Sequence, residues 1–219
     1  VEPGSVVVIA YGLSDRAAGD KTIVIGRPGH ALSCLRAGAY GYLSEPVGET
    51  QFRDLVHNAQ HPASRQDDVV FESGTDDWIT LTVRCKMQTL DRLAQWLREI
   101  EMDLAPEERE DIVSAIRELV ANAIEHGASS DPGQTLKLSR IRTRRTRSYH
   151  IQDPGPGFSV EDLPHAAISN GSEQPLRHVD VRSERGIRPG GFGILLSRNL
   201  ADELLYNEKG NEVLFIKYV

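Results

Sequence analysis

Two cysteines in 219 residues, Cys34 and Cys85, are too few and too far apart for a disulfide framework or a CxxC zinc site. They read as reduced thiols of a cytoplasmic protein. No apolar run approaches the roughly 20 residues that span a bilayer, and no signal-peptide pattern is visible, so no membrane partner is expected. An excess of positive charge is missing too. Lys and Arg number 25 against 32 Asp and Glu, a net charge of −7, which argues against direct nucleic-acid binding. The chain opens on Val1 rather than Met, and the expectation is that something precedes it. What remains is ordinary globular composition, 39% hydrophobic and 26% charged, with room for one large or two small domains.

The chemistry concentrates in Ala115–Gly127, AIRELVANAIEHG. Ile112, Val113, Ile116, Leu119, Val120, Ala123 and Ile124 form one stripe at the helical period. Glu118, Asn122 and His126 recur every four residues beside that stripe, so they line one flank of the helix. A carboxylate there can take a proton, and a carboxamide oxygen can ligate a hard cation such as Mg²⁺. Pro106, followed by Glu107 and Glu108, starts this helix, and Gly127 stops it.

Two glycine-bearing turns follow. Asp153–Phe158 reads DPGPGF, and glycines at alternate positions let backbone approach a ligand closely. Arg188–Leu196 reads RPGGFGILL, a glycine-rich turn opening onto an apolar helix whose N-terminus suits phosphate. Neither a Walker loop nor a dinucleotide fingerprint is present.

Upstream, Val1–Gln60 has an α/β rhythm. Val6–Ala10 and Thr22–Gly26 read as buried parallel strands, Ala31–Ala39 as a short helix, Tyr40–Leu43 as a third strand and Thr50–Ala59 as a helix. His61–Thr75 lacks periodicity and is expected to be a linker. Beyond it, Trp78–Cys85 alternates as a strand, and Thr89–Leu104 reads as an amphipathic helix with Trp96 in the core. Thr135–Ile141 and Ser148–Gln152 read as a hairpin. Its arginines, Arg140, Arg142, Arg144, Arg145 and Arg147, are expected to form a solvated edge that resists aggregation.

The stretch LRAGAYGYLSEP with ETQFRDLVHNA after it resembles the second half of a response-regulator receiver domain. The strand that should end in a phosphate-accepting Asp ends at Tyr11, the next strand ends at Gly26, and Glu45 stands where that family has Lys. The resemblance therefore implies a receiver-like fragment that cannot be phosphorylated, with docking or dimerisation as its role.

AIRELVANAIEHG, DPGPGF and GGFGILL, in that order, resemble the N, G1 and G2 boxes of the GHKL ATP-binding superfamily. The ending GFGILLSRNLADELLYNEKGNEVLFIKYV is similar to the anti-sigma-factor serine kinases of the sporulation and stress type. The resemblance implies an α/β fold: residues 76–219 as a GHKL (Bergerat) sandwich, a mixed, mostly antiparallel sheet covered by helices on one face. Residues 1–60 would be the receiver-like parallel unit and 61–75 the linker. It implies ATP and Mg²⁺ as cofactors, Glu118 as general base and Asn122 as the Mg²⁺ ligand. Asp153 would hold the adenine amine, with Gly155 and Gly157 shaping that wall. Gly191 and Gly193 would admit the phosphates, and Ser159–Gly190 would be the ATP lid. Arg185 or Arg188, in the lid, would stabilise the transferring group, and His126 would be structural.

The activity implied is a serine/threonine kinase acting on a STAS-domain anti-anti-sigma protein. Such a kinase would also sequester a sigma factor or similar partner, as a homodimer. One alternative is a switch that holds ATP and transfers nothing. Another is a histidine-kinase catalytic domain, disfavoured because no phosphoacceptor-His hairpin precedes the boxes.

Overall fold

The structure, a computed structural model, describes residues 6–10, 21–157 and 193–219. Three parallel strands come first, β1 (Val6–Ala10), β2 (Lys21–Gly26) and β3 (Gly41–Ser44), in spatial order β1-β2-β3. Thr22, Ile23 and Val24 of β2 are all buried, as a run without alternation requires of a strand covered on both faces. Helices α1 (Ala31–Arg36) and α2 (Glu49–Gln60) accompany this sheet. Helix α1 ends earlier than its apolar pattern predicts. Gly38, at φ +74°, turns the chain left-handed, and Ala39 N–H donates to Cys34 O at 2.9 Å, closing a Schellman motif.

The expected linker is instead part of the fold. After a 3₁₀ turn at Gln66–Asp68, Val69–Gly74 forms β4 and pairs antiparallel with β5 (Trp78–Arg84). Val69 enters the core at the head of this strand, and backbone pairing supplies what its polar side chains do not. Strands β6 (Thr135–Arg142), β7 (Thr146–Gln152), β8 (Glu203–Tyr206) and β9 (Glu212–Tyr218) complete a sheet ordered β4-β5-β6-β7-β9-β8. Every described pairing in it is antiparallel.

Alternation gives this sheet two unlike faces. Ile79, Leu81, Val83, Leu136, Leu138, Tyr149, Ile151, Val213 and Phe215 are buried on one face. They meet α3 (Thr89–Ile100) and α4 (Pro106–Asn122), whose buried Leu93, Trp96, Leu97, Ile112, Val113, Ile116 and Val120 complete one core. The other face carries the polar row Thr80, Ser139 and His150. This is the helix-on-one-face α/β sandwich anticipated for the second half.

The first unit is anchored to this sandwich. Val24, Ala31, Leu35 and Tyr42 belong to the same hydrophobic cluster as α3 and α4. Arg92 of α3 is buried, with Nε donating to Tyr40 O at 2.8 Å and Nη1 to Arg65 O at 2.9 Å. Its guanidinium lies 4.1 Å from the Tyr40 ring centroid, and Trp96 Nε1 donates to the same Tyr40 O at 3.1 Å.

Two of the five hairpin arginines depart from the expected solvated edge, while Arg144 and Arg145 are exposed as expected. Arg140 and Arg147 are buried and converge on Glu101, also buried. Arg140 Nε and Nη2 donate to its two oxygens at 2.7 and 2.9 Å, Arg147 Nε donates at 2.8 Å, and Tyr149 Oη donates at 2.5 Å. Helix α3 stops at Ile100 rather than Leu104, and Glu101, its C-cap, directs its carboxylate to the sheet. Burial by itself pushes the Glu101 carboxyl up, but the two arginines and the phenol outweigh it and hold the carboxyl below its ordinary value.

Candidate functional site

Helix α4 presents Glu118 and Asn122 to the start of α5 (Gly193–Leu200). A Cβ on Gly193 would lie 2.9 Å from Glu118 Oε2 and 3.4 Å from Asn122 Nδ2, so the start of α5 sits against the tips of both side chains. The Glu118 side chain is 36% exposed, open to an incoming group, and Arg117 Nη1 lies 3.9 Å from its Oε1. Asn122 Nδ2 is buried and has no hydrogen-bond partner among the described residues. That N–H₂ is a donor lacking an acceptor, which a phosphate oxygen would satisfy, and Asn122 Oδ1 is the atom of this side chain able to ligate a cation. The set fits Mg²⁺ held between one protein oxygen and substrate phosphates, because Mg²⁺ keeps several waters and needs few protein ligands. No cluster of three His, Cys, Asp or Glu among the described residues offers an all-protein cage instead.

Beyond Asn122 the helix widens. Ala123–Gly127 is a π-helical turn, closed by Ala128 N–H donating to Ala123 O at 2.9 Å. Ser129 and Ser130, at φ 51° and 55°, then reverse the chain. The turn sets Gly127 directly against Asp153. A Cβ on Gly127 would stand 2.4 Å from Asp153 Oδ1, and one on Gly155 would stand 2.4 Å from Gly127 O. Gly155 N–H donates to Asp153 Oδ1 at 2.8 Å, which fixes the carboxyl plane and leaves Oδ2 for another donor. Burial raises the Asp153 carboxyl above its ordinary value, partly offset by the Gly155 N–H and the nearby Lys209 charge. Cys85 and Tyr206 flank it. Their own burial, with the Asp153 charge adding to it, pushes them to about 11 and about 12.

The C-terminal hairpin holds this wall from behind. Asn207 Oδ1 accepts from the N–H groups of Gly210, Asn211 and Glu212 at 2.8, 3.1 and 3.2 Å. The pinned turn lets Asn211 O accept from Asp153 N–H at 3.0 Å, while Asn211 Nδ2 reaches Asp153 O at 3.4 Å. Gly157, at φ +85°, passes so close to Lys209 O that a Cβ there would lie 1.8 Å from it. Two clusters result, one around Glu118, Asn122 and Gly193 and one around Asp153, Gly155 and Gly157. They are separated by the length of helix from Glu118 to Gly127, on the order of 12 Å at helical rise. That span suits a nucleoside triphosphate lying along α4, base at one end and phosphates at the other.

The family model described as the histidine kinase-like ATPase domain matches residues 83–217. This chain belongs to that family. It is also 30% identical over 112 residues to the anti-sigma F factor of Anoxybacillus flavithermus, a match covering 51% of this chain and 68% of that protein. The ATPase domain is thus of the GHKL, anti-sigma-factor type, and the family binds ATP.

Within the domain, the structure brings Glu118, Asn122 and Gly193 together at one end and Asp153, Gly155 and Gly157 at the other. Gly191, Arg185, Arg188 and the expected lid Ser159–Gly190 lie outside the described residues. His126 is exposed in the π turn. Three contributors were not singled out from sequence: Gly127 beneath Asp153, the Asn207–Asn211 turn behind it, and Ser197 between the helices. The NEKGN run was a signal for the second, since Asn–x–x–Gly is turn chemistry. Gly127 looked like an ordinary helix stop.

Proposed function

We propose that this chain is an ATP-dependent serine/threonine kinase that phosphorylates a STAS-type antagonist and sequesters a sigma factor or similar partner. The observation that carries the reading is the junction of Glu118, Asn122 and the glycine that opens α5. ATP supplies the phosphoryl group, and Mg²⁺ would neutralise charge on its phosphates beside Asn122. Asp153 Oδ2 accepts a hydrogen bond from the adenine amine, while Gly155 and Gly157 keep the wall thin enough for the base to enter. The first-turn N–H groups of α5, which have no partners within the helix, face phosphate oxygens. Glu118, partly open to solvent, takes the proton of a serine or threonine hydroxyl as that oxygen attacks the γ-phosphorus, the bond from phosphorus to the β–γ bridging oxygen breaks and ADP leaves. Among the described residues no helix is long and apolar enough to cross a membrane.

The first unit, held through Arg92 and Tyr40, serves in this reading as a docking or dimerising module rather than as a phosphorylated receiver. The test is intact mass after incubation with Mg-ATP and each STAS-domain protein from the same genome. The expected result is a gain of one phosphoryl group on one of them. No gain on any, with ATP still bound, would assign the chain to non-catalytic partner switching.

A further inference from the structure

Ser197 has no solvent exposure and sits where α5 crosses α4. Its Oγ shares one hydroxyl proton between two backbone carbonyls, Gly193 O in its own helix at 2.9 Å and Ala115 O in α4 at 3.2 Å. A serine hydroxyl bonded only to the carbonyl four residues back is a common local feature with little consequence. The second acceptor is different, because it belongs to the helix that carries Glu118 and Asn122. Ala115 lies one turn before Glu118, and Gly193 lies one turn before Ser197. The hydroxyl therefore ties the first turn of α5 to α4 at a point adjacent to the Gly193 contact with Glu118 and Asn122. Gly193 has no side chain and Ser197 a small one, so on this flank Leu200 packs at the far end of α5 and the Ser197 hydroxyl holds the end nearer Glu118 and Asn122.

We infer that Ser197 is a positioning residue for the phosphate end of the nucleotide. It sets the depth at which the α5 N-terminus meets Glu118 and Asn122, while the adenine end is set independently by Asp153 and Gly127. The inference rests on the nucleotide reading proposed above. Because the two ends are built by different elements, loosening one should spare the other. Removing the hydroxyl leaves α5 free to slide or tilt by a fraction of an ångström, which misplaces N–H groups whose bonds to phosphate are strongly directional.

The experiment is calorimetric titration of the full chain, with Mg²⁺ present, using ATP, ADP and adenosine against wild type, Ser197→Ala and Ser197→Thr. Ser197→Ala is expected to weaken ATP and ADP about fivefold to tenfold, in line with one directional hydrogen bond, and to leave adenosine within twofold. Ser197→Thr keeps the hydroxyl and should recover most of the ATP affinity. If Ser197→Ala does not fold, Ser197→Cys keeps the volume with a weaker donor and is expected to show the same ATP-selective loss. Parallel weakening of ATP and adenosine, or no change in either, would overturn the positioning role. A folded wild type that binds neither ATP nor adenosine would overturn the nucleotide reading itself, and the positioning role with it.

Discussion

Gly127 lies beneath Asp153 with no room for a side chain between them: a Cβ there would stand 2.4 Å from both Cγ and Oδ1 of the carboxyl group. Gly127 is not at a left-handed φ, so its backbone accepts alanine and the cost falls on the contact. Gly127→Ala should push Asp153 off its place at a cost of roughly 1–3 kcal/mol. Nucleotide affinity is expected to fall by about tenfold or more, with the secondary structure intact by circular dichroism. Calorimetry with Mg-ATP checks it, and an unchanged affinity would detach the placement of Asp153 from nucleotide binding.

Asp153→Asn separates recognition from stability. The half-buried carboxyl has its pKa raised, so its protonated form favours the fold at low pH, and that contribution is lost as pH rises through the raised value. At neutral pH the ionised group is a burden on the fold, which asparagine removes while still accepting from Gly155 N–H. Adenosine affinity should drop about 30-fold, because an N–H₂ now faces the adenine amine and a charge-assisted bond worth about 2 kcal/mol is gone. The melting temperature should stay level or rise. A lower melting temperature with unchanged adenosine affinity would make Asp153 structural.

The elements with strong period or punctuation were legible from sequence: β2 as an apolar run, α4 from Pro106 and its stripe, β5 from alternation. What escaped were features set by partners distant in sequence. Strand β4 has weak alternation and exists because β5 offers it a ladder. Arg140 and Arg147 looked like a solvated edge because nothing local announces that Glu101, some 40 residues earlier, will meet them inside. At the site, Glu118, Asn122 and Asp153 were readable as motif positions. Ser197 and Asn211 were not, because a serine in a helix and an asparagine in a turn have commoner uses.

The Glu101 cluster gives a stability prediction with a definite pH sign. Glu101 has a lowered pKa in the fold, so it stabilises above the ordinary glutamate range and loses that contribution as pH falls through the lowered value. Chemical-denaturation midpoints should therefore decline on acidification below about pH 4.5. Glu101→Ala leaves two arginines buried without their carboxylate and should cost about 3–5 kcal/mol at neutral pH. The acid-side decline should also be shallower in the variant. A loss under 1 kcal/mol would mean that Arg140 and Arg147 find water or Asp103 instead, the latter already 2.6 Å from Arg147 Nη2.

In the proposed reading, Glu118 is where binding and transfer part company. Its Oε2 stands close to the α5 N-terminus, yet the side chain is partly open, so a hydroxyl from a protein substrate can reach it without displacing the adenine end. Glu118→Gln keeps shape and hydrogen bonding but cannot accept the proton. The turnover of phosphoryl transfer should fall by roughly 10²–10⁴-fold, and Glu118→Ala should bring it below detection. ATP affinity should change by no more than about threefold in either variant, because neither adenine nor phosphate recognition runs through this carboxylate. Removing a negative charge beside the phosphates can even tighten ATP slightly. Transfer rates measured by intact mass of the phosphorylated partner, set beside calorimetric ATP affinity, decide the matter. Transfer that survives Glu118→Ala would leave Mg²⁺ and positioning as sufficient and would overturn the proposed role of Glu118 as base.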